Sequence, residues 1–241
     1  MSTDAFAIDY TTWRYKDKQA IKRKLTANDL LSFCKTIFNN KYSNVYIGID
    51  PGINPLTVCV LAGEKNHIFQ FKLARQSDDW RDRWFRIQVI SDALDAVLTA
   101  IGSNEKLRIM IEGYSFGSSG AQFTLAELKQ SVLNVLYRFT HFEKVLLVPP
   151  PTWKSCLCPG QGTKGKEIIQ ACLEERYGVI KYFLKDHNKY DAFAMAILYK
   201  ELEEGTLQSE SAQKLRQREN IQNGRKQRRK AKPRKNATTV S

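Results

Sequence analysis

Val45-Tyr46-Ile47-Gly48-Ile49-Asp50-Pro51-Gly52 alternates apolar residues with Tyr46, Gly48 and Asp50, then stops at a Pro-Gly turn. Side chains alternate across a strand, so Val45, Ile47 and Ile49 share one face and Asp50 lies on the other, which Gly48 leaves open. Leu56 to Ala62 and His67 to Leu73 repeat the β-branched and aromatic character after short turns. Three sequential strands with links this short predict an antiparallel meander. Downstream the period lengthens. Asp79 to Ile101 places Trp80, Trp84, Ile87, Leu94, Val97, Leu98 and Ile101 at helical spacing and ends at Gly102. Leu107 to Glu112 reads as a strand, Ala121 to Thr140 as a helix, and Lys144 to Val148 as a strand stopped by Pro149-Pro150-Pro151. Helices near Lys164 to Tyr177 and Asn188 to Leu202 follow, with a short strand Val179 to Phe183 between them. A meander followed by alternating helix and strand predicts a mixed α/β sheet flanked by helices.

The flanks of this domain, taken as residues 45–205, read differently. In residues 1–44, Trp13 and Tyr15 interleave with Arg14, Lys16, Lys18, Lys22, Arg23 and Lys24. Thr26 or Asn28 could then cap a short helix carrying Leu30, Leu31, Phe33, Cys34, Ile37 and Phe38. The expectation is an N-terminal arm with a docking helix. Past Gly205 the apolar content collapses, and 206–241 reads as a disordered basic tail. The chain has 241 residues and a net charge of +13, and eleven basic residues against one acid fall in 211–241. A run so one-sided, Arg225, Lys226, Arg228, Arg229 and Lys230 at its centre, suits non-specific phosphate binding. The arm at Arg14 to Lys24 could add a second such contact.

No apolar window of membrane length and no signal-peptide pattern is present, so an intracellular, cytoplasmic protein with no membrane partner is expected. Five cysteines without framework spacing suit a reducing compartment. Cys156 and Cys158 lack the second pair that a zinc site needs, and read as buried thiols.

Two acids close apolar strands. Asp50 ends the first, and Glu112 ends Leu107 to Glu112, where Leu107, Ile109 and Ile111 oppose Arg108, Met110 and Glu112. If these strands are parallel neighbours, about 4.8 Å apart, the carboxylates meet at one sheet edge, where open α/β sheets gather ligands. Asp191 opens the last helix just before Ala192-Phe193-Ala194-Met195-Ala196 and can project toward that edge. Clustered carboxylates repel unless cations hold them, and all-oxygen sets suit magnesium or manganese, the ions of phosphoryl chemistry. The segment Gly160-Gln161-Gly162-Thr163-Lys164-Gly165-Lys166 opens a helix and offers N–H groups and ammonium charge to a phosphate.

Ile47-Gly48-Ile49-Asp50-Pro51-Gly52, Ile111-Glu112-Gly113-Tyr114-Ser115-Phe116-Gly117, Val148-Pro149-Pro150-Pro151-Thr152-Trp153-Lys154 and Asp191-Ala192-Phe193-Ala194, in that order, resemble the RuvC family of Holliday junction resolvases. The spelling looks most like phage-borne members, and the match spans about residues 45–203. The resemblance implies a ribonuclease H-like fold with a five-stranded mixed sheet. It implies a homodimer that nicks four-way DNA junctions, using Mg2+, two ions per site and replaceable by Mn2+, on four acidic positions. Asp50, Glu112 and Asp191 match three. At the fourth, three residues before the last Asp, stands Asn188, with His187 and Asp186 as neighbours; Asp186 or Asn188 is expected to supply an oxygen. Lys154 and Lys166, with Lys164 as competitor, resemble lysines placed near the scissile phosphate. Tyr114 and Phe116 resemble an aromatic wedge at the strand exchange point. The alternatives are a weak or inactive junction-binding protein, and a nuclease for forks or R-loops.

The helix from Ala121 to Thr140 bears on the dimer. Leu125, Leu128, Val132, Val135, Leu136 and Phe139 form one stripe, while Phe123, Leu133 and Tyr137 lie off it. A second apolar face predicts a second partner, either another copy or the helix around Leu30 to Phe38.

Overall fold

The computed structural model describes residues 6–14, 20–38, 42–52, 54–74, 77, 79–102, 107–113, 122–140, 144–160, 165–178, 186–207 and 210–216. The strands are β1 (Phe6–Arg14), β2 (Ala20–Leu25), β3 (Val45–Asp50), β4 (Leu56–Ala62), β5 (Lys65–Leu73), β6 (Leu107–Glu112) and β7 (Val145–Val148). The helices are α1 (Ala27–Ile37), α2 (Trp80–Ile101), α3 (Gln122–Phe139), α4 (Pro150–Leu157), α5 (Lys166–Tyr177) and α6 (His187–Glu204). One sheet holds all seven strands in the order β2-β1-β5-β4-β3-β6-β7. The expected meander is β3-β4-β5, antiparallel throughout, and β6 and β7 add to β3 in parallel.

The sheet is wider than the five strands expected. Residues 6–14 and 20–25, read as part of an arm, form an antiparallel hairpin of β1 and β2 that joins the sheet by pairing β1 with β5. Phe6, Ile8 and Tyr10 alternate with Ala7, Asp9 and Thr11 and are buried against the sheet's helical layer. The basic residues nearby masked that alternation. The expected docking helix is α1, and the capping residue is Thr26, whose side chain accepts from Asp29 N–H at 3.3 Å. It packs on α2, and α2 in turn packs on α3, so α2 and not α1 is the neighbour of α3. The triple proline ends β7 at Val148, as expected, and also opens a helix: Pro150 stands in the first turn of α4, where its missing N–H has no partner to lose. The strand expected at 179–183 lies outside the described residues. Within the expected tail, 210–216 is helical and buries Ala212 and Leu215, with Leu207, against the α6 side.

Two cores sandwich the sheet. Ile47, Ile49, Val58, Phe69 and Ile109 face α1, α2 and α3, while Tyr46, Cys59, Ile68 and Met110 face α4, α5 and α6. Along α2 the buried stripe is Ile87, Ile90, Leu94, Val97 and Leu98; Trp80 and Trp84, at helical spacing with it in the sequence, are 61% and 58% exposed. They lie on the outer side of the helix's first turns. Helix α6 is buried from Tyr190 to Tyr199, as a helix apolar on every side must be. It lies directly on β3: a Cβ built on Gly48 would stand 2.0 Å from the Ala192 carbonyl oxygen and 2.5 Å from Ala196 N. Its far end is tied by Glu203, which accepts from Tyr46 Oη at 3.1 Å and pairs with Arg108, and by Glu201, which pairs with Arg176 of α5 at 3.0 Å. Among the described residues no helix is long and apolar enough to cross a membrane.

Candidate active site at the carboxyl edge of the sheet

Strands β3 and β6 run in parallel with Ile49 opposite Ile111, so Asp50 and Glu112 follow side by side, one strand spacing of about 4.8 Å apart. Both point to the α6 face, as Gly48 and Met110 do two residues earlier. Asp191 immediately precedes Ala192, the residue whose carbonyl lies on Gly48. The close seating of α6 therefore lowers Asp191, 9% exposed, onto the same edge. The three acids singled out in the sequence are thus directed to one edge of the sheet by two means, strand register and one missing Cβ.

Their surroundings show the electrostatic cost. Burial pushes the Glu112 carboxyl above its ordinary value, and repulsion from Asp191 adds to it; a hydrogen bond from Trp153 Nε1, at 3.3 Å, and the charges of Lys129 and Lys154 oppose the rise. Trp153 is fully buried at the head of α4, and the Lys154 ammonium lies 5.2 Å from its ring centroid. The Lys154 charge thus acts on Glu112.

Lys129 and Trp153 border the candidate site and were not singled out in the sequence. Lys129, on α3, is 4% exposed, and its Nζ donates to the Gly113 carbonyl oxygen at 2.7 Å. Burial lowers its pKa, and the charges of Glu112 and Asp50 hold it up. The signal was present: Lys129 lies four residues after Leu125 and three before Val132, inside the apolar stripe of its helix, where a cation demands a partner.

Asp186 has a different engagement. It caps α6, accepts from Gln70 Nε2 at 2.8 Å, and has Lys189 Nζ at 4.0 Å. Gln70 sits two strands from Asp50 in the register Asp50, Thr57, Gln70. Asn188 lies in the first turn of α6, three residues before Asp191 and therefore on its side of the helix; His187 is the first residue of that helix. Lys166 is the first residue of α5. Tyr114, Phe116, Lys164, Arg225, Lys226, Arg228, Arg229 and Lys230 lie outside the described residues. Cys156 and Cys158 are buried free thiols.

Among the described residues no three His, Cys, Asp or Glu side chains are already gathered as a cation cage. The donor chemistry nevertheless fits a hard divalent ion, since Asp50, Glu112 and Asp191 offer oxygen alone and the Glu112–Asp191 repulsion is what such an ion relieves. When bound, an ion of this kind activates water and steadies the leaving oxygen in phosphoryl chemistry.

A solved structure of Thermus thermophilus RuvC superposes with a TM-score of 0.53 at 21% sequence identity, covering 68% of this chain and 97% of that one. The same organism's RuvC in complex with a Holliday junction substrate aligns at a TM-score of 0.49 and 21% identity, over 64% of this chain and 90% of that one. No family profile matches the sequence, and no curated protein matches it. The first likeness establishes the fold as RuvC-like, a ribonuclease H-like mixed sheet flanked by helices.

Proposed function

We propose that the chain is a divalent-metal-dependent endonuclease for branched DNA, with the four-way junction as its first substrate. The observation that carries this reading is the convergence of Asp50 and Glu112, on adjoining parallel strand ends, with Asp191 set on them by α6. The RuvC-like fold and the four ordered motifs support it. In this reading Asp50, Glu112 and Asp191 hold Mg2+ or Mn2+, with Asn188 or Asp186 completing the set. Trp153 orients the Glu112 carboxylate through its N–H, and Lys154 and Lys166 bring cationic charge to the phosphate being cut. Tyr114 and Phe116 stack at the branch point, where an aromatic ring contributes ~1–3 kcal/mol per base. Residues 217–241, nine basic against one acid, hold phosphates without regard to sequence.

The second partner in this reading is another copy of the chain. Trp80 and Trp84 flank a groove of about 650 Å³ between α2 and α3, lined also by Ile87 and Gln130. Two exposed tryptophans beside a cavity supply the apolar anchor that an isologous interface needs. Leu133 packs into the core from α3, whereas Tyr137 is 37% exposed on it.

The test is cleavage of a synthetic four-way junction, Y-fork, flap, R-loop and plain duplex with Mg2+ or Mn2+. Asp50→Asn should abolish cutting while junction binding persists, because a ligand is lost without a core cavity. Tight junction binding with no cleavage in either metal would leave a junction-binding protein, the reading favoured by the uncharged Asn188 and by the engagement of Asp186 with Gln70.

A further inference from the structure

Cross-strand register ties the acid edge to the hairpin. Asp50 stands opposite Thr57, Thr57 opposite Gln70, Gln70 opposite Asp9, and Asp9 opposite Lys24. Opposed residues share a face, so Lys24 lies on the α6 face at the same edge as Asp50, four strand spacings or about 19 Å away. Lys22, opposite Thr11, shares that face one repeat further in. The intervening Arg23 points the other way, its guanidinium 5.6 Å from the Phe33 ring centroid on α1. Lys22 and Lys24 are exposed. Lys72 and Lys189 stand beside them; Lys72 pairs with Asp9 at 2.6 Å, and Lys189 reaches Thr11 Oγ1 at 3.4 Å. Lys22 and Lys72 act on Lys189 as like charges. Four lysines face two acids, Asp9 and Asp186, on one flank of the site.

Lysines on an edge strand ordinarily deter pairing with another sheet, and β2 is the edge strand. That purpose is served by charge of either sign on either face. It does not account for Lys72 and Lys189 joining Lys22 and Lys24, from β5 and α6, on the face that carries Asp50.

We propose that the α6 face of the β1–β2 hairpin holds the phosphate backbone of a duplex arm leading away from the acid edge. It rests on the reading that the chain acts on DNA. At 3.4 Å per base pair, 19 Å places the contact roughly five to six pairs from the cutting point. The anchor therefore grips the arm and not the branch.

The experiment uses the full chain carrying Lys22→Glu and Lys24→Glu together, which keeps the edge charged while reversing its sign toward phosphate. Binding is measured without divalent metal to junctions with unmodified arms, and to junctions bearing methylphosphonates five to seven pairs from the branch. The double variant should bind the unmodified junction roughly tenfold weaker, with a log–log salt slope shallower by about two. The modified junction should reduce parental binding similarly and leave the variant unaffected. Unchanged affinity and slope in the variant would overturn the proposal, as would a parent indifferent to the methylphosphonates. A parent that cleaves junctions while the reversal changes nothing loses this surface alone. One that binds with the lysine dependence but cuts no DNA keeps the surface and loses the nuclease reading.

Discussion

Lys129 of α3 reaches around the end of the sheet to donate to the carbonyl of Gly113, the residue after Glu112, at 2.7 Å. A helix from one face thereby fixes the exit of the strand that carries a site acid on the other. Lys129→Met should destabilise the protein at neutral pH by about 1–3 kcal/mol, the scale of a lost charged hydrogen bond. Mg2+ should raise the melting temperature of this variant more than that of the parent, because the ion replaces the missing positive charge. Melting curves with and without Mg2+ check it; equal shifts in both proteins would remove Lys129 from the site's electrostatics.

Glu112 carries the sign of its burial into stability. Its folded pKa is raised above the ordinary 4.5, so the folded state binds the proton more tightly and stability falls as pH rises through the folded pKa. Glu112→Gln should be more stable than the parent at pH 7 while inactive. The gain should vanish below pH 4.5, where the parent's carboxyl is protonated in both states. Urea denaturation across pH 4 to 8 decides; a variant less stable than the parent at pH 7 would contradict the burial argument.

His67 titrates in the opposite sense. Burial and Lys65 lower its pKa from 6.5 to about 3, and its Nδ1 shares a 2.7 Å hydrogen bond with Tyr10 Oη inside the α1 side of the sheet. Stability due to the neutral ring is present above pH 6.5 and is lost as pH falls toward 3, with a slope approaching about 1.4 kcal/mol per pH unit. His67→Asn should flatten that acid limb while leaving DNA cleavage at neutral pH unchanged. An equally steep limb in the variant would assign the acid sensitivity elsewhere.

Asn188 and Asp186 separate by position. Asn188→Asp adds a carboxylate on the Asp191 side of α6, in a first turn whose dipole also favours negative charge. Mg2+ affinity by calorimetry should rise roughly tenfold. Asp186→Asn should change it little, since Gln70 already holds that side chain two strands from Asp50. The reverse order of effects would hand the metal role to Asp186.

How much of this was legible in the chain follows from the kind of signal each feature leaves. Asp50 and Glu112 were visible because period-two alternation fixes the face of a strand-end acid, and Asp191 because it opens a helix of small and apolar residues. The β1–β2 hairpin was not, since its buried face rests on three residues, Phe6, Ile8 and Tyr10, beside a conspicuous run of cations. That Trp80 and Trp84 are exposed was not visible, because helical spacing alone does not tell where the covered stretch of a 22-residue helix begins. Lys129 was overlooked for the converse reason: a lone charge within an apolar stripe looks like an interruption until its partner across the sheet is known.

The contact of Ala192 on Gly48 has an implication for anyone altering this protein. Main chain rests there on main chain, so the height of Asp191 above Asp50 is not a sum of side-chain volumes and does not drift as the surrounding core is repacked. Residue 48 is a spacer of minimal thickness. Gly48→Ala would act as a shim under α6, lifting one acid from the other two without changing any charge. Paired with Asp50→Asn, it allows the geometry of the site to be tuned separately from its chemistry.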